Sequence, residues 1–118
     1  MNKDRRTAID VAITTAGAYL EDAQSNEDWD AAVAQESISG LKETIEGIRD
    51  EEQEYFGNMP EGFQNGDKGS AAQEAISNLE SAIEDLESIE WDDDESEQSA
   101  VVTEYLGSAI DNLTSAKG

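Results

Sequence analysis

The chain has 118 residues, of which 29 are Asp or Glu, seven are Lys or Arg and none is His, so its formal net charge is -22. A negative charge of this size disfavours binding to nucleic acid or anionic lipid, because like charges repel and no basic groove can release counterions. With no cysteine either, disulfides, thiolate zinc sites and thiol catalysis are excluded. The composition favours a protein that meets basic surfaces or works in high salt.

The length predicts a single domain, residues 1–118. Apolar residues make up 36% of the chain, below the usual 45–50% counted with glycine, so we expect a thin core. No apolar run approaches the roughly 20 residues that span a bilayer, and no signal peptide is recognisable. The expected location is therefore cytoplasmic.

Helical periodicity begins with residues 4–24, whose apolar positions fall on one face. A break at Ser25 and Asn26 follows, and Asn26 or Asp28 is the predicted N-cap of the next helix. That helix, residues 27–56, carries the clearest apolar stripe, which Glu52 interrupts. Its apolar members are Trp29, Val33, Ala34, Ile38, Leu41, Ile45, Ile48 and Tyr55.

Two glycines, Gly40 and Gly47, lie seven residues apart inside this second helix. Each costs on the order of 1 kcal/mol relative to alanine in a helix. The interpretation is a close approach to a neighbouring helix, with a hinge as the alternative.

Residues 57–69 contain the one proline and four of the nine glycines, which predicts a long loop. We expect Met59 and Phe63 to pin this loop to the rest of the protein, and an exposed binding loop is the alternative. Beyond it, residues 70–89 predict a third helix with Ser70 as its N-cap, and residues 98–116 predict a fourth. The predicted fold is all-α, an antiparallel bundle of three or four amphipathic helices.

The segment from Arg49 to Glu87 contains the run EEQEYFGNMPEG, followed by an Ala/Leu/Glu-rich helix. It resembles an element of small acidic proteins encoded by tailed bacteriophages and prophages, and the likeness covers about residues 38–90. Gly57 and Gly62 depart from that pattern. The resemblance implies a helical hairpin and a phage origin, which would place the protein in the host cytoplasm. It implies no catalytic residue, because the family has no settled activity.

Catalysis is poorly supported, since carboxylate pairs need an apolar pocket to raise a pKa and the sequence offers none. Asp93 to Glu104 has the spacing of a calcium loop, but Gln98 stands where the tight turn needs glycine. We therefore predict no enzyme, no cofactor and no metal site.

Acid density is the strongest functional signal. Residues 43–54 hold six acids, opposed by Lys42 and Arg49, and nine of the fourteen residues from 84 to 97 are acidic. Two such rows on adjacent helices could imitate the phosphates of a nucleic acid duplex. The predicted partner-binding residues are Glu43, Glu46, Asp50, Glu51, Glu54, Glu84, Asp85 and Glu87.

The predicted function is binding to a basic protein, in its most concrete form as a DNA mimic that inhibits a host nucleic-acid-binding or defence protein. The alternative is a structural or homo-oligomeric helical protein whose charge serves solubility or salt adaptation. A net charge of -22 exceeds the magnitude of about 2–8 that solubility asks of a small domain, which favours the first.

Overall fold

The computed structural model describes residues 2–25, 28–91 and 95–118, with side chains from residue 97 onward in the last range. The described residues form five helices and no strand, so the all-α prediction is confirmed. The helices are α1 (Lys3–Ser25), α2 (Ala31–Gly57), α3 (Glu61–Gln64), α4 (Asp67–Glu87) and α5 (Glu95–Lys117). They make an elongated molecule of 53 × 23 × 18 Å.

The four long helices pack as a ring of neighbours. α1 lies against α2 and α5, α4 lies against the same two helices, and α2 barely touches α5. Most of each predicted apolar stripe faces this shared core, where Ile45 and Leu79 are fully buried. Val33 and Tyr55, predicted as members of the α2 stripe, are 60% and 37% exposed instead, each near an end of the helix. The other buried apolar residues include Ile9, Ala16, Ile38, Leu41, Ile48, Ala82, Leu86, Val102, Leu106, Ala109 and Leu113.

The start of α2 differs from the prediction. Asp30 is its N-cap, with the backbone N–H of Ala32 donating to Asp30 Oδ1 at 2.9 Å. Of the two predicted caps, Asp28 is therefore wrong, and Asn26 lies outside the described residues. Asp30 takes the role because it directly precedes the first helical residue, where its carboxylate can reach an unpaired N–H.

The two glycines inside α2 do not mark a close helix contact. Gly40 and Gly47 are both exposed, and a Cβ added at either would meet nothing within 4 Å. The close-approach interpretation is wrong. The helix also runs without a break through both positions.

Most of the predicted loop over residues 57–69 is helical, which corrects that prediction. Pro60 precedes α3, where its fixed φ of -55° suits a helix entrance. Gln64 Nε2 then donates to the carbonyl oxygens of Phe56 and Met59, at 3.1 and 3.2 Å, and so joins α3 to the end of α2 and the turn that follows it. Phe63, expected to pin the segment down, is 58% exposed instead.

The start of α4 is also earlier than predicted. Gly66 is the N-cap, and Ser70 lies inside the first turn rather than before it. Gly69 is buried against the backbone of Gln64, where a Cβ would overlap the Gln64 carbonyl group. Glycine at position 69 therefore lets α4 begin directly against α3.

Candidate acidic interface

Three acids of α2 lie on the side of the helix that points away from the core. Its buried positions recur at Ile38, Leu41, Ile45 and Ile48, and at 100° per residue Glu43, Asp50 and Glu54 fall on the opposite side. These three residues are exposed. Together with the half-buried Glu46 they form a row, here called the α2 acidic row, about 16 Å long at 1.5 Å per residue.

The acidic row is sparser than the sequence predicts. Glu52, one of the six acids counted between residues 43 and 54, is fully buried and faces the core. Arg49 donates to Asp50 Oδ1 from Nε at 3.1 Å and from Nη2 at 3.0 Å. Exposed pairs of this kind contribute little to stability, but this one lowers the net negative charge of the row.

The three predicted acids of α4 do not form a second row. Glu84 is exposed, whereas Asp85 Oδ2 accepts a hydrogen bond from Asn112 Nδ2 of α5 at 2.8 Å. Glu87 turns to the other flank and pairs with Lys42 of α2 at 3.5 Å. Asp85 is thus engaged between α4 and α5 and Glu87 with Lys42, and Glu84 alone of the three makes neither contact.

Glu51 and Glu54 border a shallow depression of about 230 Å³ at the end of α2, together with Arg5, Tyr55 and Asn58. Beneath it, Arg5 Nε donates to Glu52 Oε2 at 2.6 Å, with the two side chains 11% and 0% exposed. The guanidinium carbon of Arg5 lies 5.0 Å from the centroid of the Tyr55 ring. This buried ion pair joins the start of α1 to the end of α2.

Sequence reasoning missed the role of Arg5. The signal was present, since Glu52 falls on the apolar stripe four residues after Ile48. A carboxylate in that position has to be paired with a cation when it is buried, and few cations are available in this chain.

The described residues contain no group of three or more acids placed to hold a metal ion. Glu104, the last residue of the calcium-loop spacing, is exposed on α5, while Asp93 and Asp94 lie outside the described ranges. No described helix is both long enough and apolar enough to cross a bilayer.

Comparison with known proteins gives no relative: no family model, no curated protein and no solved structure matches the chain. The likeness to phage acidic proteins therefore stays a prediction from the sequence.

Proposed function

We propose that this chain is a non-enzymatic acidic protein that binds a basic protein surface. The observation that carries the proposal is the α2 acidic row, whose exposed carboxylates Glu43, Asp50 and Glu54 stand on the side of α2 away from the core. Its most concrete form is a DNA mimic that occupies the nucleic-acid cleft of a host regulator or defence protein. A phage origin, taken from the sequence resemblance, belongs to this proposal.

The row needs a rigid support, and we propose that the four long helices supply it as an antiparallel bundle. Two ion pairs support this arrangement. Arg5 near the start of α1 meets Glu52 near the end of α2, and Lys117 at the end of α5 lies 2.8 Å from Asp10 near the start of α1. Rigid helices hold charges at fixed spacing, which lowers the entropy lost on binding.

The spacing in the row supports charge matching more than a close copy of DNA. Its carboxylates follow one another every three or four residues, about 5 Å apart along the axis, against 3.4 Å per phosphate on one DNA strand. A basic cleft whose lysines and arginines are flexible can accept either spacing. The basic-partner proposal is thus broader than the DNA-mimic form.

The alternative, an assembly protein that oligomerises through its apolar seams, has less support. In the described part of the chain, the apolar stripes of the four long helices are buried against one another. The exposed large apolar residues there are Val11, Val33, Tyr55 and Phe63, on three different helices. No continuous apolar seam is left over for a second copy among these residues.

Competition with DNA tests the proposal. The chain is titrated into complexes of a short fluorescent duplex with a panel of basic DNA-binding proteins, and displacement is read from polarisation. The variant Glu43→Gln/Asp50→Asn/Glu54→Gln should lose roughly 1.5- to 5-fold in affinity per neutralised charge. Wild-type binding should also weaken steeply between about 50 and about 200 mM salt.

The matched control is Glu61→Gln/Glu74→Gln/Glu80→Gln, which removes three exposed acids outside the row. It should compete nearly as well as wild type. Equal loss in both triple variants would mean that only the overall charge matters, and absence of competition against every protein of the panel would remove the DNA-mimic form.

A further inference from the structure

The seven basic residues are unevenly distributed along the chain. No lysine or arginine occurs between Thr7 and Leu41, or between Gly69 and Ala116. These two base-free stretches meet where α1 ends, α2 begins and Val102 of α5 packs beside them. This region, here called the base-free end, lies about 25 Å along α1 from Arg5, since Asp22 follows it by seventeen residues.

A cleft of about 210 Å³ opens at the base-free end. Its apolar lining includes Tyr19, Trp29 and Val33, and its acidic lining includes Asp22 and Asp30. Val33 is 60% exposed, so part of the apolar lining of the cleft is open to solvent. No lysine or arginine is found among the described residues of this lining.

The size and chemistry of the cleft define what it can hold. Small-molecule sites usually measure about 300–1,000 Å³, so this cleft is suited to one side chain rather than to a larger ligand. Aromatic faces attract a cation through their quadrupole, and carboxylates add a charge-assisted hydrogen bond. Both partners for a cation are present in the cleft.

At the opposite end of the molecule, a carboxylate and an aromatic ring already bind a cation of this chain. There the guanidinium of Arg5 donates to the Glu52 carboxylate and lies 5.0 Å from the Tyr55 ring centroid. The lining of the cleft also includes carboxylates and aromatic rings, but its described residues include no lysine or arginine.

We propose that the cleft receives an arginine side chain of the basic protein partner. Arginine suits it better than lysine, because the planar guanidinium stacks on aromatic rings, is more weakly hydrated and pairs with carboxylates through two parallel hydrogen bonds. The inference rests on the proposed function and adds to it a single anchoring contact at the base-free end. The α2 acidic row would then supply the wider, less specific attraction.

One nearby positive charge, at the N-terminus of α2, disfavours a cation in the cleft, but it is small. The N-terminus of α2 contributes roughly half a positive charge, and Asp30 sits directly on it as the N-cap. Asp30 uses Oδ1 to accept from Ala32, but a carboxylate has about four acceptor positions. Asp22 and Asp30 together therefore keep the cleft negative and able to accept hydrogen bonds.

The experiment uses Nα-acetyl-arginine amide as the probe, with Nα-acetyl-lysine amide at the same ionic strength for comparison. The chain has two tryptophans, so a proton–nitrogen spectrum shows two indole signals, which Trp91→Phe assigns. Trp91 lines a different groove, with Lys42 and Glu87. The Trp29 signal should shift and saturate, with a Kd on the order of millimolar, while the Trp91 signal stays in place.

The variant Asp22→Asn/Asp30→Asn removes two charges from the cleft, and asparagine at position 30 keeps the N-cap. It should bind the arginine probe at least about five-fold more weakly than wild type. The matched control Glu43→Gln/Glu54→Gln removes two charges from the α2 acidic row and should change binding less than about two-fold. Circular dichroism establishes that both variants are folded.

Several outcomes separate this inference from the function on which it rests. A Trp29 signal that does not saturate, equal response to the lysine probe, or equal loss in both double variants overturns the cleft as an arginine site. If any of these occurs while competition with DNA still depends on the α2 row, the proposed function stands without the anchor. If the arginine probe binds as expected and no basic protein is displaced from DNA, the cleft stands and the DNA-mimic form fails.

Discussion

At the end of the molecule where α1 begins, Glu52 is buried against the guanidinium of Arg5. At the end where α1 finishes, Asp22 and Asp30 border an open cleft whose described lining has no lysine or arginine. The two ends carry the same kinds of side chain, carboxylates beside aromatic rings, and differ in whether the chain supplies the cation. A carboxylate that is buried in the core must be paired with a cation of the same chain. A carboxylate at the surface stays hydrated and needs no such cation.

The base-free end also holds a second polar group of a different kind. Gln98 of α5 is fully buried, and within the described part of the chain neither Oε1 nor Nε2 of its amide has a hydrogen-bond partner. A buried amide without partners costs stability. The comparison therefore predicts that removal of one charged partner is costly at the Arg5 end, whereas removal of the buried amide stabilises the Gln98 end.

The largest expected effect comes from removing the internal cation. Arg5→Met leaves Glu52 buried without the guanidinium, and the free energy of unfolding should fall by about 3–5 kcal/mol. Urea denaturation followed by circular dichroism measures the change. The double variant Arg5→Met/Glu52→Met should recover most of the loss, because a buried ion pair replaced by apolar groups is often nearly neutral. A single variant as stable as wild type would show that the pair does not hold this end together.

A smaller loss is expected from Gly69→Ala, at the junction of α3 and α4 on the same side of the molecule as the end of α2. The added Cβ would overlap the Gln64 backbone, so α3 or α4 has to shift, at a cost of about 3 kcal/mol. Gly47→Ala is the matched control. It adds a Cβ in open space inside α2 and should stabilise by about 1 kcal/mol. Thermal melting compares the two, and a change of the same sign in both would contradict the described junction.

The smallest expected change in the free energy of unfolding is an increase, and it concerns the base-free end. Gln98→Met replaces the buried amide by an apolar chain of similar shape and should raise the free energy of unfolding by about 1–2 kcal/mol. Gln24→Met, at an exposed position of α1, should stay within about 0.5 kcal/mol of wild type. A loss of stability in Gln98→Met would mean that the amide makes a useful hydrogen bond, and the contrast between the two ends would weaken.

Helix type and the apolar stripes could be predicted from the sequence because spacing at three and four residues directly reports a buried face. Ile45 and Leu79 are core for that reason. The segment over residues 57–69 could not be predicted, since composition indicates a turn but does not show that Gln64 donates to the carbonyls of Phe56 and Met59 or that Gly69 permits contact with α3. Both features depend on tertiary contacts, which the helix and turn propensities of the individual residues do not indicate.

In the candidate site too, some features could be predicted from the sequence and others depend on the tertiary structure. Exposure of Glu43 and Asp50 follows from helical phase, which the sequence contains. The separation of Asp85 from Glu87 depends on which helix lies on each flank of α4, and the pairing of Arg5 with Glu52 joins residues 47 positions apart. The cleft at the base-free end is lined by residues of α1, the start of α2 and α5, so it cannot be predicted from any single stretch of the sequence.

The uneven placement of the basic residues has a consequence for how the protein would approach a cationic surface. Lys3, Arg5 and Arg6 stand at the start of α1, while the far end of that helix and the start of α2 carry acids alone. The molecule therefore has an electric dipole moment along its 53 Å length in addition to its large net negative charge. In the field of a cationic surface it would rotate before contact, so that the base-free end arrives first and collisions in the wrong orientation become rarer.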